Sequence, residues 1–216
     1  VVLGTKRVLE FALACGTEKF LLTSSGAVYG KQPPGMSHMA EGYSGAPNSL
    51  EPSSAYAEGK RAAEFLCSVY AQTRGLKAKI ARCFTFVGPY LPLDIHYAIG
   101  NFIGDVLHGG PIKVKGDGTP YRSYLYAADL MTWLWTILFR GESQRPYNVG
   151  SDREISIRDL AFTIAQCLGP EIEVNVAGRP CHEKQPELYV PSVSRAVREL
   201  GLEQTVELRS AIAKTV

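Results

Sequence analysis

Tyr56 and Lys60 stand four residues apart in the segment Ser53-Ser54-Ala55-Tyr56-Ala57-Glu58-Gly59-Lys60-Arg61-Ala62-Ala63-Glu64. On a helix that spacing stacks two side chains on one face, so a phenol and an ammonium are presented together. A free tyrosine, with a pKa of ~10, is a poor base at neutral pH. A neighbouring cation favours the phenolate, and each unit of depression corresponds to about 1.4 kcal/mol. The pair suits the removal of a proton from an alcohol that loses hydride to a nicotinamide. Taken alone the spacing is common on solvated helix faces, so other residues must support it.

Support comes from upstream. Lys19-Phe20-Leu21-Leu22-Thr23-Ser24-Ser25-Gly26-Ala27-Val28-Tyr29-Gly30 reads as a short apolar strand that runs into hydroxyls and then a glycine turn. In open α/β sheets the ligand crevice lies beyond the carboxyl ends of the strands. Ser24 and Ser25 leave their strand at that end, where a hydroxyl can meet a reacting oxygen. A serine-rich turn by itself is ordinary. Strand, serine pair, Val-Tyr-Gly, a proline-rich loop and then Pro52-x-x-x-Tyr56-x-x-x-Lys60 form a far rarer combination.

With these motifs the sequence resembles the extended short-chain dehydrogenase/reductase family, the NAD-dependent nucleotide-sugar epimerases and dehydratases. Further segments carry the resemblance along nearly the whole chain. Gly4 to Glu10 looks like the helix before the serine strand. Ile80-Ala81-Arg82-Cys83-Phe84-Thr85-Phe86-Val87-Gly88-Pro89 is similar to the next strand and its Arg-x-x-Asn-x-x-Gly-Pro ending. Gly116-Asp117-Gly118 through Arg122-Ser123-Tyr124 to Asp129-Leu130, and Tyr147-Asn148-Val149-Gly150, match later blocks in the family's order.

The resemblance implies a partial Rossmann-like, doubly wound parallel α/β sheet with a smaller carboxyl-terminal α/β substrate-binding lobe. Residues 1–90, with 126–150 returning, would belong to the NAD-binding domain, and 91–125 with 151–216 to the lobe. It implies Ser25 as the hydroxyl that contacts the reacting oxygen and Tyr56 as the acid/base. Lys60 would depress the phenol's pKa and hydrogen-bond the nicotinamide ribose, with Ser24 on the same coenzyme side. Arg122 resembles the arginine that grips the substrate diphosphate, where a guanidinium fork suits phosphate oxygens. Asn101 and Arg179 resemble further nucleotide contacts, and Thr85 stands where the family pattern has its asparagine. The implied coenzyme is NAD, with NADP as the alternative, and the implied substrate is a nucleotide-diphosphate sugar.

Two departures shape the expected reaction. The family's dehydratases carry Asp-Glu directly after the catalytic Ser/Thr, and decarboxylating relatives keep a glutamate at the second of those places. This chain has Gly26 and Ala27 there. Neither transfers a proton, so the loop resembles that of a 4-epimerase or ketosugar reductase. Thr85, the second departure, offers a hydroxyl in place of an amide. The expectation is a 4-epimerase acting through transient oxidation at C4. The alternatives are a 4,6-dehydratase that draws its carboxylate from Glu41, Glu51 or Asp94, or a non-catalytic nucleotide-sugar or NAD-binding relative.

No Gly-x-Gly-x-x-Gly turn follows a strand in the chain, which begins at Val1. From the resemblance, three strand-helix units of roughly 100 residues are expected to precede it, and the fragment alone is expected to bind coenzyme poorly. Hydrophobic residues make up 45% and charged residues 20% of the 216 residues, which are globular values. A net charge of +2 from 23 basic and 21 acidic side chains gives no reason to expect nucleic acid. No apolar run approaches the ~20 residues of a membrane span. Cys15, Cys67, Cys83, Cys167 and Cys181 show no close pairing, and a reduced cytoplasmic setting is expected. His38, His96, His108 and His182 are too scattered for a metal motif, and no metal is expected.

The elements expected to position these groups alternate between strand and helix. They include helices near 1–15, 56–73, 95–108, 156–168 and 192–200, a helix capped by Asp129, and strands at 20–23, 78–84, 112–114, 147–149 and 171–176. Leu9, Leu13, Phe65 and Val69 lie on helices that carry apolar side chains on more than one face. Corresponding helices pair across a two-fold axis in the family, so a homodimer is expected.

Overall fold

The computed structural model describes residues 1–95, 97–179 and 185–216. The chain opens with α1 (Val2–Ala14), β1 (Phe20–Ser25), a 3-10 turn at Gly26–Tyr29, α2 (Ala55–Arg74), β2 (Ala78–Cys83) and β3 (Phe86–Val87). It continues with α3 (Ala98–Leu107), β4 (Ile112–Val114), β5 (Tyr121–Ser123), β6 (Leu125–Tyr126), α4 (Ala127–Arg140) and β7 (Pro146–Val149). The remaining elements are β8 (Glu154–Ser156), α5 (Ile157–Leu168), β9 (Val174–Val176), β10 (Leu188–Tyr189), α6 (Ser194–Leu200) and α7 (Leu208–Ala213).

Two compact units form. The first comprises Val1–Phe84, Met131–Gly150 and Pro191–Glu203. The second comprises Thr85–Leu130, Ser151–Val190 and Gln204–Val216. Segment 191–203, assigned from sequence to the smaller lobe, therefore packs with the first unit. Arg195 on α6 donates to the Pro146 carbonyl at 2.7 Å, which fastens that segment beside β7.

In the first unit the sheet order is β1-β2-β7, parallel throughout. The register places Ser24 beside Arg82 and Arg82 beside Asn148, and Ser25 beside Cys83. Leu9, Ala12, Leu22, Ala63, Cys67, Leu76 and Ala78 form a core between α1, α2 and one sheet face. Small residues on α2, namely Ala57, Ala63 and Cys67, are buried, and Gly75 ends this helix in the left-handed region at φ 72°. Leu9 is fully buried and Leu13 packs against the core, whereas Phe65 is exposed, so the apolar side chains of these helices lie on more than one face. Exposed apolar residues on these helices include Leu3, Val8, Phe11 and Phe65.

In the second unit Ile99, Phe102, Ile103, Ile112, Val114, Leu160 and Ile164 centre a core between α3, α5 and β4. Short ladders hold its edges: β10-β5-β8, β3-β6 and β4-β9. The strand expected over 171–176 is confined to Val174–Val176, where it pairs parallel with β4. Ser156 caps α5, its hydroxyl accepting from the Asp159 amide. Asp129 is not the cap of α4. It lies inside the first turn, and its carboxylate accepts from Thr205 N and Val206 N at 3.1 Å each and from the Thr205 hydroxyl at 2.5 Å.

Candidate active site

In the first unit Ser24 and Ser25 end β1, and Tyr56 and Lys60 lie on α2, which packs against that strand. Ser25 ends that strand and caps the following 3-10 turn, its oxygen accepting from Ala27 N at 3.1 Å. That contact uses a lone pair and leaves the hydroxyl proton to donate. Tyr56 lies in the first turn of α2 with 54% of its surface exposed. Lys60, one turn on, donates to the Thr23 carbonyl at 2.7 Å, and its ammonium is 5.7 Å from the centre of the Tyr56 ring. One fixed cation thus stands beside a half-exposed phenol and a serine-bearing strand end.

Ser24 points elsewhere. Its hydroxyl donates to Glu64 Oε1 at 2.5 Å, and Ser24 itself is buried. Glu64 also accepts from Arg82 Nε at 3.0 Å and Nη2 at 2.7 Å, a bidentate pair with both side chains largely buried. The Arg82 guanidinium lies 4.7 Å from the centre of the Tyr29 ring. Tyr29 donates to Asn148 Oδ1 at 2.8 Å, and Asn148 donates to the carbonyls of Met39 at 2.8 Å and Ser192 at 3.0 Å. Burial pushes the Tyr29 phenol up to about 12, opposed by Arg82, so it stays neutral and able to donate. Burial opposes the charge on Arg82, and the hydrogen bonds and charge of Glu64 outweigh it. Burial likewise pushes the Cys83 thiol up to about 12, against the pull of Lys60. Ser24, assigned from sequence to the coenzyme side, is tied into a buried network through Glu64.

Glu64 and Arg82 were not singled out from sequence, although each left a trace. Glu64 extends the spacing to Tyr56-x-x-x-Lys60-x-x-x-Glu64, and Arg82 is a second charge, after Lys79, in a short strand.

The second unit holds Thr85, Asn101, Arg122 and Arg179. Asn101, on the first turn of α3, lines a groove of about 540 Å³ shared with Phe102, Asp105, His108, Lys113 and Lys115. The other three do not line it. The Thr85 hydroxyl donates to the Ser123 carbonyl, so only its lone pairs remain for a ligand. Arg122 donates to its neighbour's carbonyl, Tyr121 O, at 2.8 Å and to the exposed Glu187 at 2.6 Å, with Tyr189 5.9 Å from its guanidinium. Arg179 is exposed in the loop after β9.

The carboxylates offered for a dehydratase sit in three different settings. Glu41 accepts from Asn148 N at 2.9 Å and is almost fully buried beside Arg195. Glu51 accepts from Asn48 at 3.2 Å in the loop before α2, and Asp94 lines the groove of the second unit. Cys181, His182 and His96 lie outside the described residues. Among the described residues no cluster of His, Cys, Asp or Glu could hold a metal ion. No helix among them is long and apolar enough to cross a membrane.

A parallel sheet with Ser25 at a strand end, and a Tyr-x-x-x-Lys helix beside it, defines a Rossmann-like dehydrogenase/reductase scaffold. The chain belongs to the NAD dependent epimerase/dehydratase family, whose sequence profile matches residues 1–150. It is 34% identical over 211 residues to UDP-glucuronic acid decarboxylase 6 of Arabidopsis thaliana, covering 98% of this chain and 60% of that protein. UDP-glucuronic acid decarboxylase 2 of the same plant is 34% identical, again over 98% of this chain but 46% of its own length. The chain thus spans between about half and three-fifths of these curated relatives. Among solved structures, RMD from Pseudomonas aeruginosa complexed with NADPH superposes with a TM-score of 0.84 at 26% identity, covering 99% of this chain and 70% of that one. A Thermus thermophilus UDP-glucose 4-epimerase in complex with NAD gives 0.81 at 29% identity, over 99% of this chain and 68% of that one.

Proposed function

We propose that the whole protein is an NAD-dependent nucleotide-sugar 4-epimerase that acts through transient oxidation at C4. The observation that carries this reading is the pairing of an equipped strand end with an unequipped turn. Ser25 ends β1 and Lys60 holds the Thr23 carbonyl of that strand with its ammonium beside Tyr56, while Gly26 and Ala27 supply no proton-transferring group.

The residues present fit the nicotinamide-ribose end of the coenzyme. After donating to Thr23, the Lys60 ammonium keeps two protons for ribose hydroxyls. When bound, NAD supplies the hydride acceptor for the sugar's C4. Tyr56, as phenolate, takes the proton of the C4 hydroxyl and returns it once the opposite face has been reduced. Lys60 holds that phenolate by its charge. Ser25 donates its free proton to the same sugar oxygen, orienting it toward Tyr56. Asn101 and the groove around it provide a pocket for the nucleotide, and Arg122, released from Glu187, a cation for the diphosphate. Thr85 and Arg179 are contacts of the same class.

A second reading follows from the curated relatives. Their names are those of UDP-glucuronic acid decarboxylases, which places loss of the C5 carboxyl from a 4-keto sugar beside epimerisation. Ala27, where decarboxylating relatives keep a glutamate, favours the epimerase. Epimer-resolving chromatography coupled to mass spectrometry, applied to products of the whole protein with UDP-glucose and UDP-glucuronic acid, separates the readings. A stereoisomer of unchanged mass is expected. A product lighter by carbon dioxide would establish the decarboxylase, and one lighter by water the dehydratase.

The whole protein is further proposed to work as a homodimer in the cytoplasm. Leu3, Phe11 and Phe65 on α1 and α2 are 73%, 68% and 69% exposed, an apolar surface suited to an isologous contact. Cys15, Cys67, Cys83 and Cys167 are free thiols, as in a reducing compartment.

A further inference from the structure

Tyr56, Lys60 and Glu64 follow one another at intervals of four along α2, so they lie in one slowly drifting stripe. The first faces the proposed chemistry, and the other two grip the same strand. Lys60 holds the Thr23 carbonyl, and Glu64 holds the next residue, Ser24, through its hydroxyl. Glu64 also chelates Arg82 on the adjacent strand, in register with Ser24. Without these contacts α2 could slide or roll on the small side chains of Ala57, Ala63 and Cys67 that form its buried face. Such packing fixes distance better than rotation.

We infer that Glu64 is a positioning residue, which locks the strand end bearing Ser25 to the helix bearing Tyr56 and Lys60. The inference rests on the catalytic roles proposed above. A simpler role for Glu64 is to neutralise the buried guanidinium of Arg82. The two roles differ in what must be preserved. Charge neutralisation needs only that Arg82 be paired or absent. Positioning needs an acceptor for the Ser24 hydroxyl on α2, whether or not Arg82 is present. A displacement of about 1 Å between reacting groups can cost 10²-fold in rate, so an anchor at this place would be read in turnover.

Three variants of the whole protein separate the roles. Glu64→Met alone leaves Arg82 buried and unpaired, and a lowered Tm is expected under either role. Glu64→Met combined with Arg82→Met replaces a largely buried ion pair by apolar side chains of similar length, a change that often leaves stability intact. With Tm restored, kcat on UDP-glucose or UDP-glucuronic acid is expected to remain about 10-fold below the parent, with KM and NADH affinity within threefold. Glu64→Gln with Arg82→Met restores an acceptor for Ser24 without a charge. It is expected to recover most of the lost kcat. A double Met variant with parental Tm and parental kcat would overturn the inference, as would a Gln rescue that recovers nothing. Tyr56→Phe in the same assay isolates the foundation. If that change leaves turnover untouched, the proposed catalytic roles fail and the positioning role fails with them. If it abolishes turnover while the double Met variant is fully active, only the positioning role fails.

Discussion

The Lys60 ammonium donates to the carbonyl oxygen of Thr23 across 37 residues of sequence, at 2.7 Å. This bond ties α2 to β1 and sets the cation beside Tyr56. The carbonyl is a neutral partner, so the full charge of Lys60 remains to act on the phenol. A carboxylate in the same place would have cancelled it.

Tyr56→Phe in the whole protein removes the proposed proton acceptor and keeps the ring. Turnover is expected to fall by the 10²–10⁴-fold typical of a positioned acid/base, with NADH binding nearly unchanged. Steady-state kinetics beside a fluorescence titration measures both. Turnover within a factor of two of the parent would remove Tyr56 from the chemistry.

Gly30 adopts φ 73°, and a Cβ built there would stand 2.3 Å from the Ala46 carbonyl oxygen. Strain in the backbone and collision with backbone act together, and neither neighbour is a side chain that can swing away. Gly30→Ala is expected to destabilise the protein by about 2–4 kcal/mol. Urea denaturation followed by circular dichroism provides the check.

Glu199 accepts from Arg145 at 2.8 and 2.5 Å and from Tyr147 at 3.1 Å. Chiefly through the Arg145 hydrogen bonds, its carboxyl is lowered from 4.5 to about 2. A depressed carboxyl stabilises the folded state above its unfolded pKa, and this contribution is lost as pH falls through the folded value. The effect of Glu199→Gln should therefore be full above pH about 4.5 and shrink toward pH about 2. Exposure and salt will weaken it. Melting curves of parent and variant across that interval, at two salt concentrations, test the direction. A difference that grows on acidification would contradict it.

The apolar surface on α1 and α2 gives a prediction of assembly. The whole protein should sediment as a dimer at micromolar concentration, and Phe11→Glu with Phe65→Glu should yield a monomer. A monomeric parent would refute the proposed contact.

What could be read from the sequence had local signals. β1 is an apolar run ending in serines, α2 stops at a glycine, and α5 starts at a serine whose hydroxyl caps it. Asp129 misled because an acidic residue at a helix start usually serves the helix itself, whereas its partners are Thr205 and Val206, more than 70 residues away. β8 and β10 flank β5 with three and two residues, too few to show a period of two. Leu9 and Phe11 illustrate another limit. Both are large and apolar on one helix, yet the first is fully buried and the second 68% exposed. Composition does not distinguish them; the angle between them around the helix does. Glu64 was obscured because its role depends on which strand residue lies in register beside Ser24, a fact of pairing and not of spacing.

Each compact unit is assembled from three separate stretches of chain. The polypeptide therefore passes from one to the other five times, and neither unit exists as a contiguous gene segment. No single cut, whether by a protease or in an expression vector, would release either one whole. Removing the last 26 residues would strip α6 from the first unit and α7 from the second at once. A swap of either unit with that of a relative would need several matched splice points. Either unit is thus open to change by point substitution far more readily than by exchange as a part.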